Sequence, residues 1–354
     1  MEQRILKRSE KAIESFEKYG IEMLLLTKKA DIRYLTDIPG DDCAVLLTRD
    51  KRILITDSRY EVAVSVVKPD FDVVIKYDLM EFLKDFPIKK MGVQDQDISL
   101  SFYKELLNYT SEAEIIPATG LMEDLRMVKD DVELGYIEEA EMIGDKAFRE
   151  ILNYIKPGVT EKQIATHIEY TMKKNGAEGF SFDTICVSGI NSSKPHGIPS
   201  DKPLEKGDFL TMDFGCIYKG YCSDMTRTVA VDHATDEMRQ VYDVVLKAQL
   251  AACNGLKAGI HVKDGDALAR DIINAAGYGQ YFGHGLGHSV GLEIHEDPFL
   301  SFRGRHVLEK GMTVTIEPGI YLPGKFGVRI EDLAVITEKG IVNLTESPKE
   351  LIVL

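Results

Sequence analysis

A segment of twelve residues occurs twice in this chain, and each copy carries an acidic residue near its end. The copies run from Leu204 to Gly215 and from Leu308 to Gly319; six of the twelve aligned positions are identical and three more are conservative. Each copy leads through a turn into a second strand-like segment that carries another acid. A unit repeated in this way predicts a site built on a pseudo-twofold axis. Its four acids are Asp213, Asp224, Glu317 and Glu331.

The spacing of these acids predicts that each pair lies on one face of an antiparallel hairpin. In such a hairpin the numbers of facing residues have a constant sum, and side chains alternate between faces. Asp213 faces Asp224 if the first turn centres between residues 218 and 219. The second pair faces across its hairpin if the turn centres on Gly324, within a Leu-Pro-Gly-Lys turn sequence.

Four clustered carboxylates repel one another strongly unless cations lie among them. An alternative is that the acids are exposed on edge hairpins, but most of the neighbouring residues in the two copies are apolar. Like charges directly opposite each other on a hairpin also destabilise it. The sequence therefore predicts a site for two metal ions.

The length of 354 residues suits two domains. Residues 1–125 alternate helix-like and strand-like segments, which predicts a small mixed α/β domain. It begins with a helix over about residues 4–19, followed by a strand at Met23–Leu26 and then a hairpin. Residues 126–354 contain the duplication, each copy in the order helix, helix, hairpin. In the first copy, Asp130 with Glu133 predicts a capping box at the start of the first helix, and Thr160 with Gln163 caps the next. We therefore predict an α+β fold whose C-terminal domain is a duplicated α-α-β-β unit with an antiparallel sheet backed by helices.

Composition narrows the partners and the compartment. A net charge of −15 with scattered Lys and Arg argues against nucleic acid or an anionic membrane as a partner. Five cysteines without a CxxC pair are typical of reduced thiols in the cytoplasm. The first residues predict a charged amphipathic helix instead of a signal peptide, and no apolar run is long enough to span a membrane.

Four histidines flank the acidic hairpins, and we consider them candidate site residues. His284 and His288 stand in Gly-His-Gly-Leu-Gly-His, His295 follows, and His196 precedes the first hairpin. His284, at a glycine-rich strand start that permits close backbone approach, is the predicted metal ligand. The remaining four histidines have no such context and are interpreted as ordinary surface or core residues.

Two further residues are predicted to hold the acids in place without binding the metal themselves. Arg329 is two residues before Glu331, so both side chains point to one face of their strand. Thr226 is two residues after Asp224, so these two side chains also point to one face. An arginine beside a ligating carboxylate orients it through charge-assisted hydrogen bonds, and we predict that role for Arg329. Thr226 is predicted to support the site beside Asp224.

At these residues the chain resembles the metallopeptidases of the pita-bread fold, which include prolidase, aminopeptidase P and methionine aminopeptidase. The resemblance rests on Asp213 in TMDFG, Asp224 in GYCSDMTRT, His284 in HGLGH, Glu317 in TIEPG and Glu331 in GVRIED. Residues 1–125 resemble the creatinase-like N-terminal domain of prolidases and aminopeptidases P. The implied domains are that N-terminal domain and, at 126–354, a pita-bread catalytic domain with a dinuclear metal site.

The resemblance implies hydrolysis of the bond between a residue and a following proline, with a metal-bridging hydroxide as the nucleophile. Two divalent ions are implied, Mn, Co, Fe or Zn with Mn favoured, and Glu317 is implied as both ligand and proton shuttle. His196, His288 and His295 are implied to contact the substrate and the developing oxyanion. Small peptides with proline in the second position are the implied partners, and a homodimer is expected.

The sequence leaves three functions open. The resemblance favours an Xaa-Pro dipeptidase over an aminopeptidase P acting on longer Xaa-Pro-Yaa peptides. Prolidase-like sequences often carry an arginine for the substrate carboxylate where this chain has Phe299, so the second function stays open. The third is an inactive, metal-free binding protein on the same fold, which is disfavoured because all five ligand positions are intact.

Overall fold

The computed structural model of the chain describes residues 2–67, 70–76, 78–84, 86–110 and 113–354. The chain forms two compact units, Met1–Arg126 and Met127–Leu354, divided one residue from the boundary expected from the sequence. The second unit contains all the candidate site residues. Within the described ranges, the structure contains no helix with the length and apolar character needed to cross a membrane.

The first unit is a six-stranded mixed sheet with helices around it. From edge to edge its strands are Asp72–Ile75, Arg52–Thr56, Cys43–Thr48, Met23–Leu26, Lys90–Val93 and Glu114–Pro117. The predicted strand Met23–Leu26 is confirmed, as is the predicted hairpin that follows it. The first predicted helix, over residues 4–19, is interrupted at Ser15, and its second part ends at Gly20 in the left-handed conformation. The elements are α1 (Glu2–Glu14), α2 (Phe16–Tyr19), β1 (Met23–Leu26), α3 (Lys29–Thr36), β2 (Cys43–Thr48), β3 (Arg52–Thr56), β4 (Asp72–Ile75), α4 (Leu79–Lys84), β5 (Lys90–Val93), α5 (Leu100–Tyr109), β6 (Glu114–Pro117) and α6 (Leu121–Met127).

The second unit contains two pairs of helices and five small groups of strands, in which the described pairings between strands are all antiparallel. The elements are α7 (Asp131–Ile151), α8 (Glu161–Lys174), β7 (Gly179–Phe180), β8 (Ile185–Ser188), β9 (Phe209–Phe214), β10 (Cys216–Tyr218), β11 (Tyr221–Cys222), β12 (Met225–Ala230), α9 (Asp236–Gly255), α10 (Val262–Ala275), β13 (Gly287–Ser289), β14 (Glu296–Leu300), β15 (Thr313–Ile316), β16 (Gly319–Leu322), β17 (Phe326–Arg329), β18 (Asp332–Ile336) and β19 (Ile341–Asn343).

The duplication predicted from the sequence is visible in this order of elements. In the first copy α7 and α8 precede the paired strands β9 and β12, and in the second α9 and α10 precede β15 and β18. A short hairpin interrupts each strand pair, β10–β11 in the first and β16–β17 in the second. A backbone bridge between Thr226 and Glu331 joins the two copies at the site.

Helix starts and core packing follow from local sequence. Asp130 and Glu133 form a capping box at the start of α7, and Thr160 with Gln163 forms another at α8, as the sequence predicts.

Each helix pair then buries its apolar face against its own copy of the strands. The result is two separate apolar clusters, one around α7 and α8 and one around α9 and α10, on which the acidic strands rest.

Candidate metal centre

The first hairpin holds Asp213 and Asp224 in a register two residues away from the predicted one. Asp213 on β9 pairs with Thr226 on β12, so the prediction that it faces Asp224 directly is wrong. The turn centres between Lys219 and Gly220, whose φ angles of 48° and 81° form the tight connection that suits a hairpin. A shift of two residues leaves a side chain on its original face, so both acids still reach one site.

The second hairpin has the predicted register. Gly319 pairs with Arg329 and Leu322 with Phe326, which centres the turn on Gly324 at a φ of 77°. Glu317 lies between β15 and β16, and Glu331 between β17 and β18, where the same register continues. The two acids are therefore placed opposite each other at the break between two strand pairs.

The imidazole that reaches the acids is that of His288. Its Nε2 lies 3.5 Å from Asp224 Oδ2 and 3.5 Å from Glu317 Oε1. Candidate ligand atoms of Asp224, His288 and Glu331 all lie within 4.8 Å of one another. Because Nδ1 of His288 lies 3.1 Å from the Ser289 carbonyl oxygen, an acceptor only, the proton belongs on Nδ1 and Nε2 offers its lone pair to the acids.

The predicted imidazole ligand, His284, has both ring nitrogens in contact with other groups in this structure. Its Nδ1 donates to the Gly285 carbonyl oxygen at 2.8 Å, so Nε2 is left to accept from the Tyr321 hydroxyl at 3.0 Å. The sequence interpretation placed the strand start at His284, whereas the strand begins at Gly287. His288 therefore has its backbone fixed on the sheet, with its N–H donating to Thr315 Oγ1 at 3.0 Å.

Arg329 connects the acids of the two copies. Its Nη2 lies 2.5 Å from Asp213 Oδ2, and its Nε donates to Thr226 Oγ1 at 3.1 Å. The Thr226 hydroxyl in turn donates to Glu331 Oε2 at 2.6 Å. The arginine is 4% exposed, so these bonds act where solvent screens them little.

Tyr321 belongs to the same network and was missed in the sequence. Its hydroxyl accepts from Arg329 Nη1 at 2.7 Å and contacts His284 Nε2. Tyr321 is four residues after Glu317, an even spacing that places both on one face of an extended segment. Strand parity was therefore the signal that could have identified it.

Burial and mutual repulsion disfavour the charged forms of the acids. Burial, followed by Glu331 and Asp213, raises the pKa of Asp224 well above its ordinary value. Burial, followed by Glu317 and Asp213, does the same to the pKa of Glu331. Burial raises the pKa of Glu317 to about 8, against the influence of Arg329. In the protein without ions, these carboxyls thus resist simultaneous ionisation.

The donor set fits divalent cations. Asp213 Oδ1 and Glu331 Oε1 are buried, and neither has a hydrogen-bond partner among the residues that the structure describes. Buried acceptors without a partner are costly, and a cation satisfies them. Burial lowers the pKa of His288 to about 4, with a further contribution from His295, so its imidazole is neutral and able to ligate near pH 7.

The acids open onto a cavity of about 640 Å³. His196 and His295 line it, together with Phe299, and the rings of His288 and His295 lie 4.5 Å apart between centroids. Burial, followed by the neighbouring His196, lowers the pKa of His295. The cavity thus brings together all the site residues predicted from the sequence except Thr226, which contacts Glu331 but does not line the cavity.

Glu141 is a buried acid beside the site that sequence analysis did not single out. One of its carboxyl oxygens accepts from the Asp224 backbone N–H at 3.3 Å, and the other from Thr345 Oγ1 at 2.6 Å. Burial raises its pKa to about 8. Its position on α7 within an apolar helical stripe gave no signal of this contact.

Comparison with known proteins agrees with this architecture. The sequence model of metallopeptidase family M24 matches residues 135–338, which is more than half of the chain. The chain belongs to metallopeptidase family M24. Residues 8–128 match the creatinase/prolidase N-terminal domain. The expected family and the pita-bread fold are confirmed, and family membership identifies the chain as a peptidase that works with divalent metal ions.

Relatives of the chain extend over its whole length. An Xaa-Pro dipeptidase of Pyrococcus horikoshii is 38% identical, covering 98% of this chain and 99% of that protein. The structure of an Xaa-Pro dipeptidase from Bacillus anthracis has a TM-score of 0.96 at 44% identity, covering 99% of this chain and 100% of that one. An X-Pro aminopeptidase from Thermotoga maritima has a TM-score of 0.88 at 39% identity, covering 96% and 100%.

Proposed function

We propose that this chain is a metal-dependent peptidase that hydrolyses the Xaa-Pro bond of dipeptides. The observation that carries the proposal is the convergence of four carboxylates and one neutral imidazole on a single cavity, with two carboxylate oxygens left without a partner among the described residues. Similarity to Xaa-Pro dipeptidases over the whole chain supports the choice of bond.

We propose two divalent ions at this centre, because four ionised carboxylates balance the charge of two such ions. Carboxylate oxygens and one imidazole suit Mn, Co, Fe or Zn, and Mn is our first choice. When bound, the ions would supply Lewis acidity and lower the pKa of water. The proposed ligands are Asp213, Asp224, His288, Glu317 and Glu331, with His288 in place of His284.

The protein's own groups then have distinct roles. Glu317 faces the cavity and takes the proton of the attacking water, which adds to the carbonyl carbon before proline. As the C–N bond breaks, Glu317 passes that proton to the proline nitrogen. His196 and His295 donate hydrogen bonds to the carbonyl oxygen as its negative charge develops. Arg329 and Thr226 hold Asp213 and Glu331 in place throughout.

A second candidate function is that of an aminopeptidase acting on Xaa-Pro-Yaa peptides. Phe299 lines the cavity at 43% exposure where related dipeptidases often carry an arginine. Among the described residues that line the cavity, the single Arg or Lys is Arg329, and it is buried against Asp213. A free C-terminal carboxylate next to proline therefore meets no available Arg or Lys side chain among these lining residues, which favours substrates that continue beyond proline.

The test removes the metal with a chelator, restores Mn or Co, and measures hydrolysis of Ala-Pro, Ala-Pro-Ala and the control Ala-Ala. We expect activity on Ala-Pro that disappears on chelation and returns with metal. Faster cleavage of Ala-Pro-Ala than of Ala-Pro selects the second function. Full activity in metal-free protein, or equal hydrolysis of Ala-Ala, refutes both.

We further propose a cytoplasmic homodimer. The five cysteines are all free, and burial raises the pKa of Cys186, Cys216 and Cys222, so their thiols stay protonated and inert. Such thiols suit a reducing compartment. Light scattering coupled to size exclusion tests the oligomer, where a mass near 80 kDa, about twice the 39.6 kDa of one chain, is expected and a mass near 40 kDa contradicts it.

A further inference from the structure

The loop that brings His196 to the cavity is tied at its base to a single buried carboxylate. The loop leaves β8 at Ser188, passes through a 3₁₀ turn at Gly189–Ser193, and returns at Ser200. Glu161, the first residue of α8, is 0% exposed and lies between the two ends of this loop. The side chain has no part in the proposed chemistry, so its burial calls for a different role.

Five donor atoms converge on the Glu161 carboxylate. Oε1 accepts from the Ser188 N–H at 2.7 Å, from the Ser188 hydroxyl at 2.9 Å and from Asn191 Nδ2 at 3.2 Å. Oε2 accepts from the Ser200 N–H at 3.0 Å and from the Ser200 hydroxyl at 2.6 Å. The outgoing and returning ends of the loop therefore share one anion, which holds them at a fixed separation.

The far side of the loop meets the site itself. Arg329 Nη1 donates to the Pro195 carbonyl oxygen at 3.3 Å, one residue before His196. Ser192 Oγ accepts from the Gly327 N–H at 2.9 Å on β17. His196 is exposed and lines the cavity, so its own side chain does little to fix its position. The position of its imidazole therefore depends on the conformation of the loop, which in turn depends on the Glu161 contacts at the two ends of the loop.

We infer that Glu161 is a positioning residue for the reaction, acting through the 189–200 loop on His196. This role rests on the proposed function. A carboxylate offers about four lone-pair sites and no donor, which matches a ring of donors. Glutamine at this position keeps the shape but replaces one oxygen with an NH₂ group. That group would face the donors of Ser188 or Ser200 and release one end of the loop.

The test uses the full-length, Mn-loaded protein and its E161Q variant. We expect E161Q to lower kcat/KM for the Xaa-Pro substrate by roughly 10- to 100-fold, since a misplaced group costs that much even far from the chemistry. Metal content should be unchanged. In an H196A background the same substitution should have an effect of less than about 3-fold, because the group through which it acts is gone.

Amide hydrogen exchange provides a readout that does not depend on activity. Amides of residues 189–200 should exchange at least about 10-fold faster in E161Q, with the rest of the second unit unchanged. The T160A variant is the matched control, because the Thr160 hydroxyl caps the same helix through the Gln163 N–H at 3.2 Å without touching the loop. T160A should leave both kcat/KM and loop exchange at wild-type values.

Three results overturn the inference: unchanged loop exchange in E161Q, an equal effect of E161Q with and without His196, or an equal effect from T160A. If E161Q fails to fold, S200A removes one hydroxyl donor from the loop side and should give an intermediate change in the same readouts. If the wild-type protein cleaves no Xaa-Pro peptide, the proposed function fails, and loop exchange alone decides whether Glu161 holds the loop.

Discussion

At the scale of single residues, the site depends on which atoms of each side chain remain available. Arg329 holds Oδ2 of Asp213 and Thr226 holds Oε2 of Glu331, so the other oxygen of each carboxylate faces inwards without a hydrogen bond from the described residues. In His288, likewise, Nδ1 donates to the Ser289 carbonyl oxygen, which leaves Nε2 facing the acids. Each of these three proposed ligands is thus oriented by a bond to its second atom.

Replacing Asp213 with Asn is expected to abolish activity while preserving the fold. The amide retains the size of the carboxylate but loses one negative charge at the centre. Activity should fall by more than the roughly 10- to 100-fold cost of losing an outer partner of a metal site. Steady-state kinetics with Mn measures this, and the exposed Asp232→Asn serves as control. Wild-type turnover in Asp213→Asn would show that the ligand assignment is wrong.

The two histidines of the HGLGH segment are expected to separate in their effects. His288→Ala removes the lone pair that faces Asp224 and should lower bound metal as measured by elemental analysis. His284→Ala breaks the contacts with Tyr321 and with the Gly285 carbonyl oxygen and should keep its metal. If His284→Ala loses metal and His288→Ala keeps it, the original sequence-based ligand is the correct one.

At the scale of elements, the site lies where each copy's strand pair is interrupted by a short hairpin. The acids at these breaks belong to no strand or to a strand end, and neighbouring backbones approach closely there. Gly287 on β13 shows this best, because a Cβ at that position would collide with the Thr315 carbonyl group on β15. The glycine lets β13 approach β15, and the next residue is His288.

Gly287→Ala is therefore expected to push β13 away from β15. Overpacking of this kind costs about 1–3 kcal/mol of unfolding free energy, and the displaced His288 should weaken metal binding as well. Gly283→Ala is a close control, since a Cβ at Gly283 meets no atom within 4 Å. Thermal unfolding and metal titration measure both effects. Equal behaviour of the two variants would contradict the proposed close approach.

At the scale of the whole molecule, the two copies together place four acids in one site, where the repulsion exceeds that within either copy alone. Each half supplies two acids on its own apolar support, and the Thr226–Glu331 bridge brings the pairs together. In the protein without ions, the repulsion raises the pKa of Asp224 and of Glu331, after burial as the first cause. Binding of cations between the acids therefore stabilises the assembly of the two halves.

The metal-free protein is expected to lose stability as pH rises. Glu317 has an ordinary pKa of 4.5 and a folded pKa of about 8, so the unfolded chain releases its proton first. The folded state then binds more protons across this interval, and stability falls between pH 4.5 and 8.

Melting temperatures with chelator and with Mn at pH 5 and pH 8 measure this dependence. The increase caused by Mn should be larger at pH 8 by about 3 °C or more, because ligands must lose their protons to bind. Asp213→Asn is the control and should show a smaller increase. An equal increase at both pH values would contradict the linkage.

The sequence by itself determined the duplication, the helix caps, the second hairpin and the four acids. These features depend on local rules: turn residues, strand parity and capping boxes act within a few residues of one another. The predicted register of the first hairpin was wrong by two residues, because its turn, at Lys219 and Gly220, lies one position beyond the predicted centre.

Only the tertiary structure decided which histidine meets the acids and what supports them. His284 and His288 have similar local sequence, and the choice depends on the contact between β13 and β15, where the His288 N–H donates to Thr315 Oγ1. Glu141 and Glu161 contact the site or its loop from helices far away in sequence, with no periodic or motif signal. Long-range contacts of this kind depend on packing between elements, which residue order alone does not specify.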